Sequence, residues 1–122
     1  VATCPNVVVK VGGCGMPTYG FGLESEDIAP GSDVLAAAWK PYFAHLIELF
    51  GANRCMFESN FPVDKVSCSY TNLWNAFKRV ADDLGISGAE RNDLFYGTAA
   101  RAYRIPLSEN QNAAISSSAP TR

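Results

Sequence analysis

Hydrophobic positions along the chain fall into blocks punctuated by glycine and proline. The first block, Val7-Val8-Val9-Lys10-Val11, is a β-branched run that predicts a strand buried on both faces, as in a parallel sheet. Gly12-Gly13-Cys14-Gly15-Met16-Pro17 ends it, and a stretch rich in Gly, Pro and aromatics runs on to Gly31. A structureless connection of about twenty residues is uncommon and often functional. Ser32 then predicts an N-cap for a helix beginning near Asp33. Val34, Leu35, Ala38, Trp39, Tyr42, Phe43, Leu46, Ile47, Leu49 and Phe50 recur at the helical period. Pro41 predicts a kink or a split in that helix, and Gly51 a stop.

The next block, residues 54–59, predicts a second short strand, broken by Asn60-Phe61-Pro62. Residues 70–84 predict a helix with Leu73, Trp74, Phe77, Val80, Ala81 and Leu84 on its apolar face, ended by Gly85. Trp39, Trp74 and Phe77 sit at core spacing, which favours packing over ligand contact. Ser87-Gly88-Ala89-Glu90 has the form of a capping box and predicts a third helix to about Arg104, closed by Pro106. Strand, helix and strand in this order predict a right-handed crossover with the two strands parallel. Two strands make no stable sheet alone. The pattern therefore implies neighbouring strands beyond this chain, and the absence of a Met at position 1 fits a piece of something longer.

Composition narrows the classes. The chain has 122 residues, 48% of them hydrophobic and 18% charged, with a net charge of −2. That is ordinary globular composition rather than that of a disordered chain. The acidic balance argues against a nucleic-acid partner, which calls for a basic face. No apolar run approaches the ~18–20 residues that span a bilayer, so no membrane partner is expected.

Cys4, Cys14, Cys55 and Cys68 contain no CxxC, which argues against a zinc ribbon or a redox pair. An even count allows two disulfides. Without a secretion signal, the expectation is free, reduced, mostly buried thiols in a cytoplasmic protein. The single histidine, His45, sits in a helical pattern and reads as a surface or interhelical residue, with a general base or metal ligand as the sharper alternative. A catalytic zinc site needs about three protein ligands, which one helical histidine does not supply. Gly12-Gly13 with Gly15 loosely suggests a phosphate-binding turn, a weak signal with no helix directly following.

Three segments carry a family resemblance. Arg54-Cys55-Met56-Phe57-Glu58-Ser59-Asn60-Phe61-Pro62-Val63-Asp64-Lys65 resembles the last barrel strand of the amidohydrolase-related hydrolases, metal-dependent TIM-barrel enzymes that include sugar lactonases and dicarboxylate lactone hydrolases. There the motif usually runs Phe-Gly-Ser-Asp-(Trp/Tyr/Phe)-Pro. Pro5-Asn6-Val7-Val8-Val9-Lys10-Val11-Gly12-Gly13 resembles the preceding strand. Gly97-Thr98-Ala99-Ala100-Arg101-Ala102-Tyr103 resembles the closing helix, usually Asn-Ala-x-Arg-x-(Tyr/Phe). The motifs keep the family's order and cover nearly the whole chain.

The resemblance implies an α/β fold, the C-terminal fragment of a (β/α)8 TIM barrel with its last two parallel strands and their helices. Residues 1–107 would form this partial barrel and 108–122 a disordered polar tail. A complete barrel takes roughly 250 residues. The implied activity is hydrolysis of a lactone, or a related C–O or C–N bond, by an activated water. The implied partner is a small molecule, a lactone or carboxylate-bearing ring compound. A divalent metal such as zinc is implied for the complete enzyme, with its histidine ligands on earlier strands and none bound by this segment alone. The same superfamily contains decarboxylases, and a truncated non-catalytic remnant or interaction module is the non-enzymatic alternative.

The family's strand-end Asp, which is thought to bind metal and steer the attacking water, aligns with Asn60. An amide is a neutral ligand and a very poor base. Glu58 replaces the motif's Gly and returns a carboxylate two residues earlier, on the same strand face. Asn60 and Glu58 are thus the candidate catalytic residues. Lys10 has the parity to form a buried ion pair with Glu58, or alternatively to snorkel outward. Met16, Tyr19, Phe21 and Phe61 are the candidate substrate contacts, with simple coverage of the barrel rim as the alternative for the aromatics of the glycine-rich loop.

Overall fold

The structure is a computed structural model and describes residues 1–116. Strand β1 (Val9–Gly12) pairs in parallel with β2 (Cys55–Glu58), joined by helix α1 (Ser32–Phe50). Helices α2 (Tyr70–Asp83), α3 (Gly88–Asn92), α4 (Thr98–Tyr103) and α5 (Glu109–Ser116) follow. The predicted strand–helix–strand order and parallel pairing are present.

In the ladder Val9 lies opposite Cys55 and Val11 opposite Phe57, while Lys10 lies opposite Met56 and Gly12 opposite Glu58. Paired residues of a parallel sheet share a face. Val11, Cys55 and Phe57 are buried under the helices, but on the other face Lys10 is exposed and Glu58 only half-buried. The expectation of strands buried on both faces is met by β2, where Cys55, Met56 and Phe57 are all buried, and not by β1, where Lys10 is exposed. β1 also begins two residues later than the pattern suggests. Val7 and Val8 have the right composition but no partner in β2, and a strand exists only where a ladder can form.

The core centres on aromatic rings. Phe57 of β2 stacks on Phe77 of α2 with centroids 4.7 Å apart and the rings 9° from parallel. Phe95 meets Phe57 edge-on at 5.0 Å, and Phe43 and Trp39 of α1 close the cluster. Trp39 and Phe77 are fully buried and Trp74 packs at the margin, as their spacing predicts.

Several local details differ from the pattern. The stretch after β1 contains two short 3₁₀ turns, Pro17–Tyr19 and Leu23–Ser25. Helix α1 starts at Ser32 with Gly31 as N-cap, because the Ser32 hydroxyl is engaged by Arg79 Nε at 3.0 Å. Pro41 does not split α1. Its ring is exposed, and buried Trp39 and Phe43 on either side hold the helix against the core despite the lost hydrogen bond. Ser87 forms no side-chain cap. Gly88 takes φ +55, which moves the first turn out of capping-box register. The third predicted helix is interrupted by a π-helical turn, Asp93–Gly97, and ends with Arg104 in the left-handed region.

Other ends form as predicted. Ser69 Oγ accepts from Asn72 N at 3.1 Å at the start of α2. At its end the Gly85 and Ile86 amides donate to Asp82 and Ala81 carbonyls, a Schellman closure with Gly85 at φ +67. Of the predicted disordered tail 108–122, residues 109–116 are helix α5, and 117–122 lie outside the described residues. Among the described residues no helix is long and apolar enough to cross a membrane.

Replacing Phe57 by Ala removes the ring that Phe43, Phe77 and Phe95 all touch. Urea denaturation is expected to show a loss of about 3–5 kcal/mol, the range for deleting a buried aromatic side chain.

Candidate functional site

Parallel pairing puts the C-terminal ends of β1 and β2 at the same end of the sheet, so the loops that leave them can meet. They do so at Asp64. A 3₁₀ turn, Val63–Val66, folds back after Pro62 and brings Asp64 under the loop that follows β1. Asp64 is fully buried. Its Oδ2 accepts from Gly15 N at 3.0 Å, and its Oδ1 accepts from Asn60 Nδ2 at 2.7 Å. Ser67 Oγ donates to Gly15 O at 2.5 Å, so the same turn also anchors the carbonyl side of Gly15.

Two glycines make this approach possible. A Cβ on Gly15 would lie 2.8 Å from Asp64 Cγ. A Cβ on Gly12 would collide with the Glu58 backbone carbonyl across the ladder. Asn60 sits at φ +51, a left-handed conformation that Asn tolerates better than most residues. Part of the reason for Asn at this position is therefore backbone geometry.

Glu58 and Asn60 both face the Gly13 corner. A Cβ built on Gly13 would lie 3.6 Å from Glu58 Oε1, 3.7 Å from Asn60 Nδ2 and 3.5 Å from Met16 Cε. Met16 thus stands beside the two candidate catalytic residues. Tyr19 and Phe21 line an apolar groove of about 670 Å³ along β1 and α1 with Tyr42 and His45, and its lining includes Lys10, Gly12 and Cys14 next to the Gly13 corner. Phe61 turns away to meet Tyr70 of α2 edge-on at 5.2 Å. Met16 at the corner and Tyr19 and Phe21 in the adjoining groove are thus neighbours in the fold, and Phe61 packs against α2. His45 is an exposed residue of α1 at the groove's rim.

Lys10 Nζ lies 3.4 Å from Glu58 Oε2, so the ion pair forms, but it is not buried: the side chains are 53% and 23% exposed. Lys10 reaches solvent although Met56, opposite it on the same face, is buried. An exposed pair of this kind contributes about 0–1 kcal/mol.

Asp64 was not singled out by the sequence pattern. In Pro62-Val63-Asp64-Lys65 it reads as a solvated turn residue. The available signal was its place four residues after Asn60, which one tight turn converts into contact.

Among the described residues no group of three His, Cys, Asp or Glu side chains could hold a metal ion. Asn60 presents its NH2 group to Asp64, both Asp64 oxygens are engaged, and Glu58 is paired with Lys10. These residues do not fit a zinc ion by themselves.

The four cysteines are free, with Cys14, Cys55 and Cys68 buried and Cys4 exposed. Burial pushes each buried thiol up to about 11, and Asp64 adds to the rise at Cys14 and Cys68. A raised thiol pKa lowers the reactive thiolate fraction, here to roughly one part in a thousand at pH 8. An Ellman titration at that pH is expected to report one prompt thiol, from Cys4, and three more only after denaturant is added.

The chain resembles known proteins along most of its length. The amidohydrolase family model matches residues 1–105. An uncharacterized protein, y4mH, of Sinorhizobium fredii is 40% identical over 86% of this chain and 30% of its own length. An L-fucono-1,5-lactonase of Burkholderia multivorans is 34% identical over 87% of this chain and 33% of its own. The crystal structure of a zinc-bound amidohydrolase, also from Burkholderia multivorans, superposes with a TM-score of 0.70 at 30% identity, covering 86% of this chain and 34% of that one. The chain thus spans about a third of the length of these relatives. With the family model matched from residue 1 to residue 105, this chain belongs to the amidohydrolase family.

Proposed function

We propose that this chain forms the C-terminal βα segment of a TIM-barrel hydrolase that opens lactones, or related C–O or C–N bonds, by attack of an activated water. The observation that carries this reading is the convergence of Glu58 and Asn60 on the Gly13 corner, at the C-terminal ends of two parallel strands. TIM-barrel enzymes keep their chemistry at that end of the strands. The outer edge of β1 supports the same reading. Among the described residues β1 pairs only with β2, and an apolar groove runs between β1 and α1, surfaces that a preceding βα unit would cover in this reading.

In this proposal Asn60 and Glu58 stand at the mouth of the barrel. Asn60 binds and orients, since an amide has no useful basicity. Glu58 supplies negative charge near the reacting centre, held in place by Lys10. Met16 contacts the substrate beside them. A divalent metal, zinc in the solved relative, would be held by residues of the complete barrel outside this segment. The substrate is a small molecule of the lactone class, as the printed name of the Burkholderia relative suggests. The four unpaired thiols suit a reducing compartment, and the proposed location is the cytoplasm.

The test is a chimera in which residues 1–105 replace the matching C-terminal third of the Burkholderia L-fucono-1,5-lactonase. The chimera is expected to fold, to retain zinc and to hydrolyse the parent lactone, while this chain alone gives no turnover. A folded, zinc-containing chimera without lactone hydrolysis would overturn the proposal, as would turnover by the isolated chain. In the active chimera, Glu58→Gln is expected to lower kcat/KM at least tenfold, about 1.4 kcal/mol of transition-state stabilisation.

A further inference from the structure

Asp64 is the one ionisable acidic or basic side chain in the buried polar set among the described residues. It is fully buried, and none of the described ion pairs includes it. Its carboxylate is held by N–H donors: the Gly15 amide at Oδ2 and the Asn60 side chain at Oδ1. Carboxylate oxygens accept hydrogen bonds, so the Asn60 atom 2.7 Å away must be the NH2 group and not the carbonyl oxygen. This assigns the amide orientation by chemistry. The Asn60 carbonyl oxygen is then turned away from Asp64, and no described hydrogen bond engages it.

We infer that Asp64 is a positioning residue that locks the Asn60 amide with its NH2 group inward, leaving the carbonyl oxygen at the mouth as an acceptor for a donor group, a water or a ligand hydroxyl. The inference deepens the proposed hydrolase site and rests on it for the identity of the donor. It also accounts for the amide at this position. A carboxylate at position 60 would meet the Asp64 carboxylate at hydrogen-bond distance inside a buried turn, and two like charges there repel.

The geometry makes a reciprocal prediction. In Asp64→Asn, the new amide can accept from only one of its two donors and must turn its own NH2 group against the other. In Asn60→Asp, two carboxylates face each other. In the double variant Asn60→Asp/Asp64→Asn the network is whole again: the amide at position 64 accepts from Gly15 N and donates to the carboxylate at position 60. A cycle of four chains, followed by urea denaturation, is expected to show each single variant losing tenfold or more in its folding constant and the double variant recovering most of it.

A purely structural Asp64, holding only Gly15, would leave the Asn60 side chain unmoved. The spectroscopic test is therefore the side-chain amide of Asn60 in a chain carrying ¹⁵N-asparagine. Its two protons are expected to be well separated and slow to exchange in the parent, and to collapse to free-amide positions in Asp64→Ala, with the Asn72 and Asn75 signals as internal references. This readout is local and needs no cooperative melt. Unmoved Asn60 signals, or a double variant no more stable than Asn60→Asp, would overturn the inference. Neither measurement uses a substrate, so failure here is distinct from failure of the lactonase chimera. In an active chimera, Asn60→Ala lowering kcat/KM for the parent lactone but not for its deoxy analogue identifies a ligand hydroxyl as the donor. Equal loss on both identifies water, and no loss on either counts against the acceptor role.

Discussion

A buried carboxylate without a cation beside it has to be surrounded by hydrogen-bond donors, or the structure bears the cost of an unsolvated charge. In this chain that requirement fixes how two loops meet. Asp64 draws the Gly15 amide from the loop after β1 and the Asn60 side chain from the loop after β2. Ser67 completes the clasp on the Gly15 carbonyl. Gly15 must lack a side chain for Asp64 to come so close, and Asn60 must tolerate a left-handed backbone for its amide to reach back. The mouth of the two-stranded sheet is therefore a braced corner rather than two independent loops.

Beneath this corner the two strands are covered unequally, β2 on both faces and β1 on one. One face carries Val11, Cys55 and Phe57 into an aromatic cluster shared with α1, α2 and the π-helical turn. The other face carries buried Met56 together with Lys10 and Glu58, which pair with each other and reach solvent to different degrees. A two-stranded sheet gains little from its own ladder, and the helices stacked on its apolar face supply most of the burial. Arg54 and Arg101 fasten the two ends of the β2 region. Arg54 donates to the Ala2, Cys4 and Phe50 carbonyls, and Arg101 to the Asn53 carbonyl while pairing with Asp93.

Much of the architecture was legible in the residue pattern because burial imposes periodicity. The apolar faces of α1 and α2, the Ser69 cap, the Gly51 and Gly85 stops and the parallel crossover all follow from local rules that a sequence expresses directly. The misreadings share a cause. The Ser32 hydroxyl looked like a cap but is taken by Arg79, 47 positions away. Pro41 looked like a break but lies on the exposed side of a helix held at Trp39 and Phe43. In both cases contacts with residues distant in sequence, Arg79 for Ser32 and Phe57 and Phe77 for Trp39 and Phe43, outweighed a local preference.

The candidate site divides along the same line. Strand alternation alone put Lys10 and Glu58 on faces that could meet, and motif position alone singled out Asn60, since both are properties of neighbouring residues. How far Lys10 and Glu58 are exposed depends on what covers the sheet. Whether Tyr19, Phe21, Met16 and Phe61 gather at the strand ends or turn to α2, as Phe61 does, depends on how the loops fold. Above all, Asp64 acquires its meaning from Gly15, 49 residues earlier in the chain. A carboxylate in a polar turn is indistinguishable in sequence from a solvated one, because burial and hydrogen-bond partners are properties of the assembled chain and not of the residue.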